Sequence, residues 1–400
     1  MSGPLTGFRV LDLSRVLSGP IATSLLSDQG AEVIKVEPLG GEMVRSRGGG
    51  GLTAGFLAAN HGKKSIALDL HTEAGVEVVK RLASTADVFV QNFRPGAIEG
   101  MGLGADVICT LNPRILFVSI SGFGEKGPYA HKRVYDPVIQ ALSGLADLQA
   151  ADAEDRPRMV RTVIPDKTTG LTAAQAITAG LLARERTGRG QHIKVAMLDV
   201  MISYLWPEGL VGLTTVGDEA KRVPRGQRSR DLVYQTTDGY ITAGAMSNKE
   251  WRGMCKALDR PELAEDPRFK NTADRFRNSA VRLELTAEVL LTKTSAEWLE
   301  RLDANEVPCA PILSRPEAIA QEQVKVNELI YEYDHPGLGR VRQPRPAAQF
   351  MDTPVNLRPL APRLGEHGKA ILSEAGFSSA EVEQLIEAGT MAAGAVPDAD

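Results

Sequence analysis

The residue in this 400-residue sequence that is best placed to do chemistry is Asp166, a lone carboxylate in a short polar segment. Pro165 precedes it, and a long helical pattern begins at Leu171. This pattern is dense in Ala and Gly, so we expect its face to pack close to another backbone. A carboxylate just before a helix can be an N-cap that accepts hydrogen bonds from first-turn N–H groups. It can instead be a catalytic group that the helix dipole keeps ionised. The spacing leaves both interpretations open, because Thr168 could cap the helix and leave Asp166 free.

Histidine and cysteine offer little alternative chemistry. The six His are scattered, without an HExxH motif or a His/Cys pair at ligand spacing, so we expect no metal site. Cys109, Cys255 and Cys309 are isolated thiols without a CxxC motif, which is typical of a reducing cytosol.

Charge and hydropathy limit the cellular location and the classes of binding partner that the sequence predicts. The formal net charge is −4 and the sequence pI is about 6.0, which gives no reason to expect nucleic acid or a membrane surface as a partner. The N-terminus has no charged-then-apolar signal segment, and no apolar run reaches the roughly 18 residues of a membrane span. These features predict a cytoplasmic protein.

The first half of the chain alternates strand and helix patterns. Such alternation favours the α/β class with a doubly wound parallel sheet. Ligands on these sheets bind beyond the carboxyl ends of the strands, where we expect the polar turns 92–94 and 121–129. The strand patterns cover residues 8–13, 32–37, 65–70, 87–91, 115–120 and 193–197.

Two features that resemble nucleotide-binding motifs are incomplete. The turn after the first strand, residues 14–20, has one glycine and a proline in place of GxGxxG, so Glu37 alone does not predict nicotinamide binding. The glycine run 48–51 could cradle a phosphate or form a mobile loop.

Composition changes near residue 217 and again near residue 326. We expect a large α/β domain at 1–216, a smaller α+β domain at 231–325 and a C-terminal helical region at 363–400. Linkers at 217–230 and 326–362 would join them. Asp238-Gly239 predicts a hairpin in the smaller domain.

An ordered set of segments resembles the class III CoA-transferase family, which includes formyl-CoA transferase and carnitine CoA-transferase. The set spans nearly the whole chain, and its order makes it far more specific than any one segment. The segments are GFRVLDLSRVLSGP (7–20), GAEVIKVEP (30–38), NHGKKSIALDL (60–70), DVFVQNFRPGAIEGMG (87–102), SISGFGEKGPY (119–129), Asp166-x-x-Thr169-Gly170, RTGRGQHIKVAMLD (186–199), VPCAP (307–311) and LGEH (364–367).

The resemblance implies both an assembly and a chemistry. Residues 1–216 would form a large Rossmann-like CoA-binding domain to which the C-terminal helices at 363–400 return. This domain and the small domain would belong to a homodimer of interlocked rings. Asp166 would be the nucleophile that attacks an acyl-CoA thioester, giving an acyl-aspartyl anhydride and then an aspartyl-CoA thioester. The implied substrates are an acyl-CoA and a small carboxylic acid, with no permanently bound cofactor.

The resemblance also implies CoA contacts, position by position. They are Leu17, Ser18, Leu68, His71, Asn92, Phe93, Arg94, Arg133, Val134 and Tyr135. Leu17 stands where formyl-CoA transferase has Gln, which argues against formate or oxalate as the preferred acid. Arginines of that relative are replaced by Pro38 and Gly100, and Pro165 replaces a small residue beside the nucleophile.

Two alternative functions and one specificity hypothesis remain. A 2-methylacyl-CoA racemase of the same fold would place a His where Tyr135 precedes Asp136. A catalytically silent CoA-binding protein would be expected to lack Asp166. The basic segment Lys221–Arg230, with five cations among ten residues, is either a solvated connector or a reader of dicarboxylic acids.

Overall fold

Six short strands form one parallel sheet in the computed structural model, which describes residues 3–45, 51–150, 156–217, 232–358 and 360–394. The order across the sheet is β3-β2-β1-β4-β5-β6, with every neighbouring pair parallel. This confirms the predicted α/β class with a doubly wound parallel sheet. The strands are β1 (Arg9–Asp12), β2 (Glu32–Glu37), β3 (Lys64–Ala67), β4 (Val88–Gln91), β5 (Leu116–Ser121) and β6 (Gln191–Ala196).

The central strands β1, β4 and β5 are largely apolar because helices cover both faces of the sheet. Val10 and Leu116 pack on one face with helices α1 and α8, whereas Leu11 and Phe117 pack on the other face. The helices of this part of the chain are α1 (Ser18–Asp28), α2 (Ala54–Asn60), α3 (Glu73–Ala83), α4 (Ala97–Gly100), α5 (Ala105–Leu111), α6 (Asp136–Leu142), α7 (Leu145–Leu148), α8 (Ile164–Thr187) and α9 (Met197–Leu205).

A second compact unit lies within residues 229–328. Its antiparallel sheet begins with the predicted hairpin, confirmed by the pairing of Gln235 with Tyr240. Its helices pack around Trp251 and Trp298, whose indole N–H groups donate to backbone carbonyls. Its elements are β7 (Val233–Gln235), β8 (Tyr240–Ala243), α10 (Asn248–Ala257), α11 (Thr272–Arg277), α12 (Ser279–Leu290), α13 (Ser295–Asp303), β9 (Cys309–Pro311), α14 (Arg315–Ala320) and α15 (Glu322–Val326).

The chain then returns to the first unit. Within the expected linker 326–362, β10 (Ile330–His335) and β11 (Gly339–Pro344) form an antiparallel hairpin. Helices α16 (Gly368–Glu374) and α17 (Ser379–Glu387) add Ile371 and Val382 to the core on the Leu11 face of the sheet. Among the helices described, none is both long and apolar enough to cross a membrane.

Two sequence hypotheses fall on residues outside the described ranges. The basic segment Lys221–Arg230 lies in the gap between residues 217 and 232, and residues 48–50 of the glycine run lie in the gap between 45 and 51. Dicarboxylate recognition by the basic segment and phosphate binding by the glycine run therefore stay predictions.

Candidate active site

Asp166 lies inside the first turn of α8, not in a loop before it. The helix begins at Ile164, seven residues earlier than the apolar pattern indicated. Pro165 favours this early start, because proline has a helical φ and lacks an N–H that the first turn would leave unpaired. Neither Asp166 nor Thr168 caps the helix, so the interpretation of Asp166 as an N-cap is wrong. The Thr168 hydroxyl instead donates to the carbonyl of Ile164 at 2.9 Å.

The carboxylate that caps α8 is Asp136, at the start of α6. The backbone N–H of Asp166 donates to Asp136 Oδ2 at 3.1 Å, and Gln140 Nε2 donates to Asp136 Oδ1 at 2.7 Å. Asp136 is only 4% exposed, so both hydrogen bonds form away from bulk water. Sequence reasoning missed this role. The Asp136-Pro137 step indicates a helix start, but it does not reveal that the carboxylate caps another helix.

The surroundings of Asp166 shift its proton equilibrium upward. Burial and then the negative charge of Asp136 raise the pKa of the Asp166 carboxyl to about 6, although hydrogen bonds from the Ser18 hydroxyl and backbone oppose the change. The carboxyl is still mainly ionised at pH 7, and its raised basicity favours nucleophilic attack.

Close packing of α1 on α8 brings Ser18 to Asp166. At Gly170 an added Cβ would lie 2.7 Å from Ile21 Cγ2 and 3.0 Å from the carbonyl oxygen of Ser18. Only glycine allows this approach, which confirms the prediction that the small-residue face of α8 packs against another backbone. The first turns of α1 and α8 thus meet at the carboxyl of Asp166.

A strained residue precedes this contact. Val16 has a φ of 67°, a left-handed conformation that costs a β-branched residue on the order of 1–3 kcal/mol. Leu17 and Ser18 follow it directly, and Leu17 is half-buried just before α1. The turn is therefore held in an unfavourable conformation beside the candidate nucleophile.

The turn after β1 is tied to the turn after β4. Arg15 N–H donates to Asn92 Oδ1 at 2.8 Å, and Asn92 Nδ2 donates to the carbonyl of Arg15 at 2.8 Å. The Arg15 guanidinium lies 4.7 Å from the ring centroid of Phe93. Asn92 was predicted as a CoA contact, and its amide is engaged with the backbone of Arg15. This junction lies between β1 and β4, where the strand order reverses and doubly wound sheets bind ligands.

Two clefts open beyond the carboxyl ends of the strands. One, of about 220 Å³, brings the predicted residues Leu68, His71 and Phe93 together with Arg15 and Met101, which sequence reasoning missed. The other, of about 390 Å³, lies beyond β4, β5 and β6. Its lining includes Phe93 and the predicted residue Arg94. Phe93 therefore separates two potential binding sites.

The remaining predicted residues lie elsewhere. Arg133 and Tyr135 are exposed on the segment before α6. Val134 between them is half-buried and packs against Gly122, where an added Cβ would lie only 2.6 Å from Val134 Cγ1. These three residues and Asp166 are absent from the described linings of the two clefts. The fold therefore brings Ser18 next to Asp166 in one place and groups Leu68, His71 and Phe93 in another.

The sequence and fold match known proteins over nearly their full length. Residues 5–368 match the family described as CoA-transferase family III. The chain is 36% identical to succinyl-CoA:glutarate CoA-transferase of Mus musculus, covering 97% of this chain and 90% of that protein. It is 32% identical to formyl-CoA:oxalate CoA-transferase of Streptomyces avermitilis, covering 98% and 100%. The crystal structure of a hypothetical protein from Mycobacterium tuberculosis superposes with a TM-score of 0.81 at 32% identity, covering 92% and 99%.

Proposed function

The chain belongs to CoA-transferase family III, and from this premise we propose that it moves CoA between carboxylic acids by covalent catalysis on Asp166. As a class III CoA-transferase it acts on an acyl-CoA and a carboxylate. The observation that carries the proposal is the half-buried, unusually basic carboxyl of Asp166 beside Ser18, at the meeting point of two helix starts. A nucleophilic carboxylate needs this combination of basicity and nearby N–H donors.

The first half of the proposed reaction moves CoA from the donor to the protein. An oxygen of ionised Asp166 attacks the thioester carbonyl, the C–S bond breaks, and CoA thiolate leaves a mixed anhydride behind. The thiolate then attacks the aspartyl carbonyl of the anhydride. The donor leaves as its free carboxylate, and Asp166 becomes an aspartyl-CoA thioester. The Ser18 N–H is the candidate donor to the oxyanions formed on the way.

The second half mirrors the first. The acceptor carboxylate attacks the aspartyl-CoA carbonyl, which expels CoA thiolate and forms a new anhydride. The thiolate attacks the acceptor side of that anhydride, so the new acyl-CoA leaves and Asp166 regains its free carboxylate. No redox change occurs, and no proton is required overall.

Binding of the CoA arm is assigned on the same premise. We propose that the nucleotide lies in the cleft formed by Leu68, His71 and Phe93, with Arg15 near its phosphates. Arg94 and Arg133 are further candidates for phosphate neutralisation, because both are exposed cations on turns that follow or flank the sheet. The proposed contacts of Leu17, Asn92, Val134 and Tyr135 follow from the family resemblance.

Dicarboxylic acids are the proposed substrates. The mouse relative is named for succinyl-CoA and glutarate, and the Streptomyces relative for formyl-CoA and oxalate. The apolar side chain of Leu17, one residue from Ser18, favours a longer methylene chain over formate or oxalate. We therefore propose succinyl-CoA as donor and a dicarboxylate of the glutarate type as acceptor.

A trapping experiment tests the covalent step. The protein is incubated with succinyl-CoA and hydroxylamine, and the expected product is a hydroxamate on Asp166, identified by peptide mass spectrometry. Asp166→Ala should abolish both the hydroxamate and CoA exchange with glutarate. Asp106→Ala, at an exposed first-turn carboxylate of α5, is the matched control and should retain both. An Asp166→Ala protein that still exchanges CoA would refute the mechanism.

A further inference from the structure

The strained conformation of Val16 requires neighbours that hold it. Its φ of 67° lies in the left-handed region, which β-branched residues avoid. Conformations of this kind persist where surrounding contacts over-determine them, and they cluster at functional sites. The contacts of the turn between β1 and α1 therefore show which residues hold Val16 in this conformation.

A buried ion pair holds the turn at Ser14 and at Val16. The N–H of Val16 donates to Glu42 Oε2 at 2.8 Å, and Lys35 Nζ lies 2.9 Å from Glu42 Oε1. Lys35 also donates to the carbonyl of Ser14 at 3.0 Å. The side chains of Lys35 and Glu42 are 0% and 1% exposed, so these interactions form in a low dielectric that strengthens them. One charged pair thus anchors the backbone at residues 14 and 16.

The turn that this ion pair holds is followed directly by Ser18, which lies beside the proposed nucleophile. Two residues beyond Val16, Ser18 begins α1, and its carbonyl oxygen would lie 3.0 Å from a Cβ added at Gly170 in the α8 segment that carries Asp166. Its hydroxyl and N–H lower the pKa of the Asp166 carboxyl. A change of φ at Val16 would redirect the start of α1 and with it these donors. We propose that Glu42, held by Lys35, is a positioning residue that keeps Val16 left-handed and so directs Ser18 at Asp166. The inference rests on the proposed nucleophilic role of Asp166.

The test removes both charges together. Loss of Glu42 alone would leave Lys35 buried and unpaired, which destabilises folds, whereas apolar replacement of a whole buried pair is often tolerated. In a Lys35→Met/Glu42→Leu variant, Val16 is free to relax. We expect kcat for exchange between succinyl-CoA and glutarate to fall by about 100-fold with a smaller change in KM, the effect of a misplacement of about 1 Å.

Rescue by glycine distinguishes positioning from a general loss of structure. Glycine adopts positive φ without a steric cost, so it can keep the turn without the ion pair. Adding Val16→Gly to the double variant should restore kcat by at least about tenfold if left-handed geometry is what the pair supplies. An equal loss of activity with and without Val16→Gly would overturn the inference.

A second readout needs no substrate. In the free protein, carbon-13 NMR can titrate the carboxyl of Asp166, assigned by its loss in Asp166→Asn. Withdrawal of the Ser18 donors should raise the pKa of Asp166 in the double variant, and Val16→Gly should lower it again. The charge that acts on this carboxyl from α6, that of Asp136, is unchanged in both proteins.

An ion pair in which Arg184 is buried and Asp87 is 24% exposed provides the control. Arg184 Nη1 lies 2.8 Å from Asp87 Oδ1, at the amino edge of the sheet and therefore opposite the turn. Arg184→Met/Asp87→Leu should lower stability while leaving the Asp166 titration unchanged. The inference is overturned if the Lys35/Glu42 variant also leaves that titration unchanged. A wild-type protein that exchanges no CoA would instead refute the proposed function, and the titration would still decide the role of Glu42.

Discussion

Two neighbouring carboxylates, Asp136 and Asp166, have different roles at the candidate site. Asp136 is buried and accepts hydrogen bonds from Gln140 and from the N–H of Asp166, so it holds the start of α8. Asp166 is more accessible, and the pKa of its carboxyl is raised to about 6 by burial and by Asp136. The proximity of one carboxylate therefore sets the basicity of the other.

Replacing Asp136 with Asn should lower the pKa of Asp166. The like charge disappears, so ionised Asp166 becomes easier to form, and the acid limb of the kcat/KM profile should move from about pH 6 to lower pH. The measurement is the pH dependence of CoA exchange between pH 4.5 and 8 for the wild type and Asp136→Asn. Asp106→Asn is the control and should leave the limb in place. A limb that stays near pH 6 in Asp136→Asn would show that Asp136 does not act on Asp166.

Replacing Asp166 with Asn should stabilise the fold while abolishing transfer. Because the folded pKa of about 6 exceeds the ordinary value of 3.8, folding favours the protonated carboxyl. That stability is complete below the unfolded pKa and is lost as pH rises through the folded pKa. Asp166→Asn should therefore raise the free energy of unfolding by about 2 kcal/mol at pH 7.5.

Urea denaturation of both proteins measures this difference. The gain from Asp166→Asn should shrink as pH falls toward 4, where the wild-type carboxyl is protonated in the folded state. A gain that does not depend on pH would mean that a contact other than the ionised carboxyl is responsible.

Helix packing controls the distance between Ser18 and Asp166. Helices α1 and α8 approach closely because Gly170 has no side chain to push Ile21 and the Ser18 carbonyl away. The same helix has a second close contact at Gly180, where an added Cβ would lie 2.9 Å from side-chain atoms of Ile193 and Leu116. Substitutions at these two glycines can therefore distinguish an effect on helix packing alone from an effect on the approach of Ser18 to Asp166.

Gly170→Ala should reduce turnover more than stability alone explains. The new methyl group would displace α1 and move Ser18 away from Asp166. We therefore expect kcat to fall by at least about tenfold. The acid limb of the pH profile should move to higher pH, because Ser18 lowers the pKa of Asp166. Gly180→Ala is the matched control, with a loss of stability but little change in kcat. Kinetics and thermal unfolding of both variants provide the comparison. Equal kcat values in the two variants would exclude a special role for Gly170.

Large apolar side chains remain exposed on α8 and α9. Leu171, Leu182 and Tyr204 are 57%, 55% and 59% exposed, although they lie on helices that carry or flank the candidate site. Contiguous exposed apolar surface on a folded unit typically marks an interface. Together with the homodimer implied by the family resemblance, this surface favours a second copy of the chain as a partner.

The protein should therefore be a dimer in solution. Multi-angle light scattering is expected to give twice the 43.0 kDa of one chain across micromolar concentrations. The same sample in denaturing urea should give the mass of one chain and so act as the internal control. A mass of one chain under native conditions would contradict the prediction.

Local sequence patterns determined much of this protein. Strand patterns predicted all six parallel strands, because strands covered by helices on both faces are rich in apolar residues. The glycine-rich face of α8 predicted close helix packing, and an ordered set of motifs pointed to Asp166. Each of these signals is written in neighbouring residues or in their order along the chain.

The tertiary structure alone decided how Asp166 is poised. Asp136, 30 residues away, caps its helix, and Ser18 reaches it from α1. The strain at Val16 and its contact with Glu42 likewise join residues that no local pattern connects. The pKa of a carboxyl depends on burial and on charges within a few ångströms, and these come from segments that meet only when the chain folds. The sequence therefore singles out Asp166 as the proposed nucleophile, whereas folding determines the basicity of its carboxyl.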